Sequence, residues 1–307
     1  MNPAVPASAI AFAAILWGTW WWPMRLLEAQ GLNVAWSSLV IFVTATAFLT
    51  PFALARRANI RAGGGLLLAV GVSLGALLVL WNVALVLGDV VRVTLLFYLA
   101  PIWATLLARL VLRETIDRLR ALSIAMGLAG AGVVLGVPGQ SSLPVPQGAG
   151  DWLGLGSGML FALSLTLARL GSHVGESGAT EGLGGFEQTY VAFAAAGVGS
   201  LAFAVAHPGP APASADVVAG VPLAALIAVI WLLPQTILIL WGAARFDPGR
   251  TSILMLLEVI AATISATLIA GDLLTPRDLI GCGLILAAGA TEAESMRRAT
   301  RPDGRTP

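Results

Sequence analysis

An acidic residue in the middle of an apolar run is the first feature of this sequence with chemical meaning. Glu258 sits in TSILMLLEVIAATISATLIAG, near the centre of a segment long enough to cross a bilayer. An ionised carboxylate at that depth costs roughly 2.5–3.5 kcal/mol, so it is expected to face protein or a water-filled cavity. Two chemistries fit such a place, contact with a substrate amine and carriage of a coupling proton. Helical spacing puts Met255, Glu258, Ala262 and Ser265 on one face, a stripe suited to lining a cavity. The plain alternative is a carboxyl hydrogen-bonded to a neighbouring helix.

Aromatic and polar residues at similar depth extend the set. The run WGTWWWP places Trp17 near mid-span, sharing a face with Trp20, Trp21 and Met24, while Trp22 reads as an interfacial anchor. An aromatic wall of this kind could stack on aromatic or cationic solutes. Pro101 lies at mid-depth and predicts a kink, with Tyr98 one turn before it, and Trp231, Pro234 and Gln235 repeat the device. Trp81, Asn82, Ser164 and Thr166 are further candidates. The substrate-binding set is therefore Trp17, Trp21, Asn82, Tyr98, Pro101, Ser164, Trp231, Gln235 and Glu258.

Ten apolar segments must position these residues, at about 8–27, 34–55, 64–87, 91–112, 119–137, 152–171, 186–206, 218–242, 249–270 and 276–295. With 58% hydrophobic and 11% charged residues and a mean hydropathy of +0.89, the chain is not a soluble domain, where charge runs near roughly 25%. Residues 88–114 and 246–272 align without a gap at an offset of 158, which puts Asp89 on Asp247, Arg92 on Arg250, Thr105 on Thr263 and Glu114 on Asp272. The Pro/Gly/Ser-rich stretch VPGQSSLPVPQGAG divides the copies. The expected organisation is a five-helix repeat over 1–137, a linker over 138–150, a second repeat over 151–296 and a basic tail over 297–307. Residues 207–214 read as a loop. His173 and His207 fall in loops and read as solvated.

The arginines orient the chain. Placing the N-terminus in the cytoplasm puts Arg56, Arg57, Arg61, Arg109, Arg113, Arg118, Arg120, Arg169, Arg245, Arg250, Arg297, Arg298, Arg301 and Arg305 on or near that side. Only Arg25, Arg92 and Arg277 fall on the other. Fourteen against three is a positive-inside bias that also returns the C-terminus to the cytoplasm. Five spans per half is an odd number, so the second half enters the membrane in the opposite sense. The predicted fold is all-α and integral to the membrane, ten transmembrane helices in two inverted five-helix repeats, the pattern of secondary transporters.

Other motifs read as structure or exclude function classes. Gly127, Ala131, Gly132 and Gly136, with Gly281, Gly283 and Gly289, form small faces for close packing, within the subunit or between two copies. Asp89 with Arg92, and Asp247 with Arg250, read as helix caps, with gate pairs as the alternative. The single cysteine, Cys282, excludes an internal disulfide and argues against a cysteine-based metal site, and no metal or cofactor is expected. No GxxxxGK[ST] occurs, so any driving force must be a gradient, with a proton-coupled carrier and a facilitator both open. Two histidines and scattered acids argue against an enzyme, and no ring of repeated carbonyl or charged groups suggests a channel filter. The near-neutral net charge gives no sign of nucleic-acid binding. The expected partners are a small-molecule substrate and membrane lipid, with the chain a monomer or homodimer.

Two stretches, LLARLVLRETIDRLRALSIAMGLAGAG and TLIAGDLLTPRDLIGCGLILAAG, resemble the ends of the paired EamA-type units of the drug/metabolite transporter superfamily. Asp272 stands where such units usually carry Glu. The tryptophan-rich first helix and the LLEV segment around Glu258 look most like the YddG-type aromatic amino acid exporters. The resemblance implies ten helices in inverted repeats and a central cavity lined by helices one, three, four, six, eight and nine. It also implies export of amino acids or similar amphipathic metabolites across a bacterial inner membrane. Export of cationic drugs is the alternative, with Glu258 as counter-charge.

Overall fold

A computed structural model describes residues 4–135, 146–176, 184–206, 211–271 and 273–300. Most of the linker at 138–150, Gly136, His207, Asp272 and the tail beyond Thr300 lie outside them. Among the described residues the regular structure is entirely helical. Nine spans among the described residues have the length and apolarity to cross a bilayer. They are α1–α2 (Ala4–Gly18, Trp21–Glu28), α3 (Val34–Ala55), α4 (Arg57–Leu87), α5–α6 (Val90–Phe97, Ala100–Val111), α7 (Arg118–Leu135), α8 (Ala149–Glu176), α9 (Gly185–Ala206), α10–α11 (Ser214–Ile227, Leu233–Ala243) and α12–α13 (Pro248–Met255, Leu257–Ser265). α14 (Pro276–Thr300) completes the ten. Large apolar side chains stand out on the perimeter, among them Leu110 at 76% and Leu268 at 78% exposure, as a surface solvated by lipid requires. We call the membrane face where α1 begins the proximal face and the other the distal face.

The halves are inverted repeats, and their elements stay in phase at the offset seen in the sequence. α5 and α12 begin and end 158 residues apart, and so do the starts of α7 and α14. The breaks in the two spans are equivalent as well, at Tyr98 and Leu256. Equivalent helix ends share a left-handed residue, Gly271 (φ 79) in the second half and Arg113 (φ 58) in the first. The left-handed backbone is open to glycine at little cost and strained for arginine.

The repeats interleave. α4 packs on α8 and α9, α3 on α9, and α1 on α11 and α13, so each half buries the other. α7 and α14 close one side through the small faces. A Cβ on Gly130 would lie 2.7 Å from the Gly281 carbonyl oxygen, and one on Gly281 would lie 2.7 Å from that of Gly130. The expected faces are thus used within the subunit, but through Gly130 rather than Gly132. Gly132, Gly283 and Gly289 meet open space, because they lie on the other sides of the same helices. The third span also starts earlier than its hydropathy suggests. α4 includes an amphipathic turn from Arg57, bent at Gly64 (φ 53, ψ −144) where the apolar run begins.

Arg113→Gly is expected to raise the denaturation midpoint of the purified protein, because it relieves a conformation that costs a non-glycine residue about 1–2 kcal/mol. Arg113→Val is expected to lower it.

Candidate functional site

The site forms where three broken helices meet at mid-depth. The first span stops at Gly18 and restarts at Trp21, with Trp20 N–H donating to the Trp17 carbonyl and Trp22 N–H to that of Thr19. The fourth breaks at Tyr98–Leu99 ahead of Pro101, as its proline predicts. The ninth breaks at Leu256 without a proline, where the Leu256 N–H reaches back only to Ile253 and the Val259 N–H to Leu256. Helices interrupted in the hydrocarbon are tolerated where protein or cavity water satisfies the freed backbone.

Around these breaks lies a cavity of about 480 Å3 that opens to the distal face past Arg25, Glu28 and Val34. Trp17, Trp20, Trp21 and Met24 form one wall, Trp81 and Asn82 a second, Thr94 and Tyr98 a third, and Glu258, Val259, Ala262 and Thr263 the fourth. Glu258 is 4% exposed and lies beside Tyr98 at the floor, where the two repeats meet. Gly18 brings α1 onto this point, since a Cβ there would meet the Glu258 carbonyl oxygen and Ala261. The Trp21 indole N–H donates to Ser265 Oγ at 2.9 Å, and the Arg25 guanidinium lies 5.1 Å from the Trp21 ring centre.

Two small voids adjoin the cavity. One, of about 20 Å3, has room for a single water between Trp17, Trp20, Ser38, Asn82 and Gln235. There Asn82 Nδ2 donates to Ser38 Oγ at 2.9 Å, and the buried Gln235 Oε1 finds no protein partner. The other, of about 10 Å3, is bounded by Trp17, Phe97, Tyr98, Pro101, Met255 and Glu258.

The structure therefore brings together Trp17, Trp21, Asn82, Tyr98, Pro101, Gln235 and Glu258. Two candidates stand apart. Ser164 is fully buried in α8 and its hydroxyl donates to the Phe161 carbonyl, so it packs rather than lines. Trp231 occupies a π turn, Ala228–Leu232, donates its indole N–H to Thr19 Oγ1 at 3.0 Å, and meets Trp22 edge-on. It braces the break in the first span, and Trp22 is its partner as well as an interfacial ring. The stripe on the ninth span is split, because the break at Leu256 turns Met255 to the small void and leaves Ser265 bonded to Trp21. The sixth span does not reach the main cavity, and Val134 and Leu135 of the fifth do.

With this geometry in view, residues 6–136 match the EamA-like transporter family. That match covers somewhat less than half of the chain, and the family, part of the drug/metabolite transporter superfamily, is one of transporters rather than enzymes. A solved structure, titled only "Crystal structure of protein", superposes with a TM-score of 0.71 at 19% identity. It spans 95% of this chain and 99% of its own, so both halves share its fold. No curated protein matches the sequence.

Opposite the open mouth, the proximal face is sealed by charge. Arg120 (3% exposed) pairs with Asp247 at 2.6 Å, Arg169 with Glu114 at 3.9 Å and Arg250 with Glu292 at 3.1 Å, while Ser295 donates to Asp117 at 2.6 Å. The Arg120, Arg169 and Asp117 contacts join the first half to the second. The caps expected at Asp89 and Asp247 are present, on the N–H groups of Arg92 and of Gly249 and Arg250. Asp247 is at once a cap and half of an inter-repeat ion pair. Its phase with Asp89 was visible in the sequence, whereas its pairing with Arg120 required the fold.

Burial first, and then the Asp247 carboxylate beside it, push the Glu114 carboxyl from 4.5 up to about 8, against the pull of Arg169 and Arg120. Asp247 is held low, because hydrogen bonding by Glu114 and the charge of Arg120 outweigh its burial. A raised acid contributes stability that is full below its unfolded pKa and lost as pH rises through the folded one. The denaturation midpoint is therefore expected to fall as pH rises from about 4.5 to about 8 and to level off above it. Glu114→Gln, which keeps the donor to Asp247, should flatten that fall when thermal unfolding is followed in detergent.

Proposed function

We propose that this protein is a secondary transporter of a bacterial inner membrane that exports amino acids, aromatic ones favoured, or similar amphipathic metabolites by alternating access. The observation that carries the reading is Glu258 at the floor of a tryptophan-walled cavity, where the broken helices of both repeats meet. A substrate amine would pair with Glu258, and its ring or aliphatic body would lie against Trp17, Trp20 and Trp81. The carboxylate of an amino acid would then point to the mouth, where Arg25 sits on Trp21. The positive-inside distribution supports a cytoplasmic proximal face, which makes this conformation outward-open. The linker and the halves, at 138–150, 1–137 and 151–296, follow the phase of the repeat. The likeness of the first helix and the LLEV segment to YddG-type exporters favours the aromatic assignment.

One observation favours export of cationic drugs as a second reading. Among the described residues lining the cavity, the deep end carries a carboxylate and no guanidinium, and Arg25 lies only at the mouth. A substrate without a carboxylate would lose little there.

Proteoliposomes loaded with labelled tryptophan or phenylalanine are expected to show saturable, protein-dependent efflux. Glu258→Gln should reduce it to the level of empty vesicles while the protein stays folded. Unchanged flux in Glu258→Gln would remove the carboxylate from the mechanism. Efflux of a quaternary ammonium probe, with none of either amino acid, would select the second reading.

A further inference from the structure

The open end carries an aspartate and an arginine, Asp89 and Arg277, that are not paired with each other in this conformation. The mouth of the cavity has Val86 and Val90 on one rim and Val134 and Leu135 on another. Asp89 lies between the first two, at the start of α5. Its carboxylate caps the Arg92 N–H, is exposed, and takes part in no ion pair among the described residues. Arg277, in the first turn of α14, is fixed to the second rim, because its guanidinium donates to the Val133 and Val134 carbonyls. Arg92 is already engaged with Gln147 and Asp151 of the linker end and α8.

The repeat relates these two residues to the pair at the sealed end. Asp89 is the equivalent of Asp247, each capping the first half of a broken span. Arg277 sits in the first turn of α14 as Arg120 does in that of α7, one position out of register. The closed pair joins an aspartate of the second half to an arginine of the first. The open pair would join an aspartate of the first half to an arginine of the second. An inverted repeat exchanges the roles of its halves when access alternates.

We propose that Asp89 and Arg277 form the distal gate, pairing across the mouth when the Arg120–Asp247 pair releases. This rests on the alternating access of the proposed function and adds the residues that end the outward-open state. Closure would bring the carboxylate to the guanidinium, leaving the cap on Arg92 in place, since a carboxylate accepts several bonds.

The test is a charge exchange read by transport in proteoliposomes. Asp89→Asn keeps the cap and removes the charge. It and Arg277→Asp are expected to lower flux about ten-fold. Combining Asp89→Arg with Arg277→Asp should raise flux about ten-fold over Asp89→Arg alone, which has lost the same cap, as reciprocal coupling requires. Singles that transport at the parental rate, or an exchange no better than its singles, would overturn the gate.

A second measurement needs no substrate, and so separates this proposal from the identity of the solute. Spin labels at Leu87→Cys and Leu274→Cys flank the mouth in a Cys282→Ala background, and Thr115→Cys with Arg245→Cys reports the proximal face. Asp247→Asn, which weakens the proximal pair, is expected to lengthen the proximal separation and shorten the distal one, and adding Asp89→Asn should abolish the shortening. A distal separation that Asp247→Asn leaves unchanged, or that Asp89→Asn does not alter, would overturn the proposal even if every solute tried were the wrong one.

Discussion

Every backbone N–H and carbonyl inside a bilayer must find a partner within the protein, and an unsatisfied group costs several kcal/mol. A helix meets this condition by itself, so each break in a span needs support from its surroundings. Here the breaks in the first, fourth and ninth spans converge, and they do so around a large cavity. Gly18 lets α1 lie against the backbone at Glu258, and Trp231 and Ser265 bond to the two ends of the broken first span. The cavity and the breaks are thus a single arrangement. Water and polar side chains at the cavity wall are what make interrupted helices tolerable, and the interruptions are what put polar side chains there.

Charge is divided between the two ends of this arrangement. The cavity contains one deep carboxylate and a mixed mouth of Arg25 and Glu28. The proximal face carries a dense network in which Arg120 and Glu292 are almost wholly buried. Buried ion pairs contribute little net stability as pairs, because desolvation offsets their attraction, yet losing one partner costs about 3–5 kcal/mol. A seal of this kind is specific rather than strong. Opening it would require the pairs to separate together into water, so such a seal would resist partial opening.

The sequence exposed the parts of this design that follow from periodicity and depth. Ten spans, the repeat and its phase were legible because apolar run length and a constant offset do not depend on tertiary contacts. Glu258, Trp17 and Tyr98 were legible because a polar or bulky aromatic group at mid-span must be accommodated somewhere. Ser164 misled for the same reason, since a hydroxyl can satisfy itself on its own helix and then needs no cavity. Trp231 went to a neighbouring break because the π turn carries it off the cavity side. The break at Leu256 has no proline to announce it. Its position is nonetheless the repeat image of Tyr98, so comparing the halves would have found it. The pairing of Arg120 with Asp247 joins residues distant in sequence, and no local pattern encodes it.

The two halves match closely but not fully. Both π turns among the described residues, Ala228–Leu232 and Ala266–Ala270, fall in the second half, and the equivalent positions of α4 and α6 are regular helix. The left-handed position is a glycine in one half and an arginine in the other. In a molecule built from two identical inverted copies, exchanging their conformations would give a mirror state of equal energy, and a carrier would rest equally on both sides. Each mismatch between the halves breaks that degeneracy. The resting side of such a carrier is therefore written in the residues at which its repeats disagree, and drift between duplicated copies is enough to give it a direction of rest.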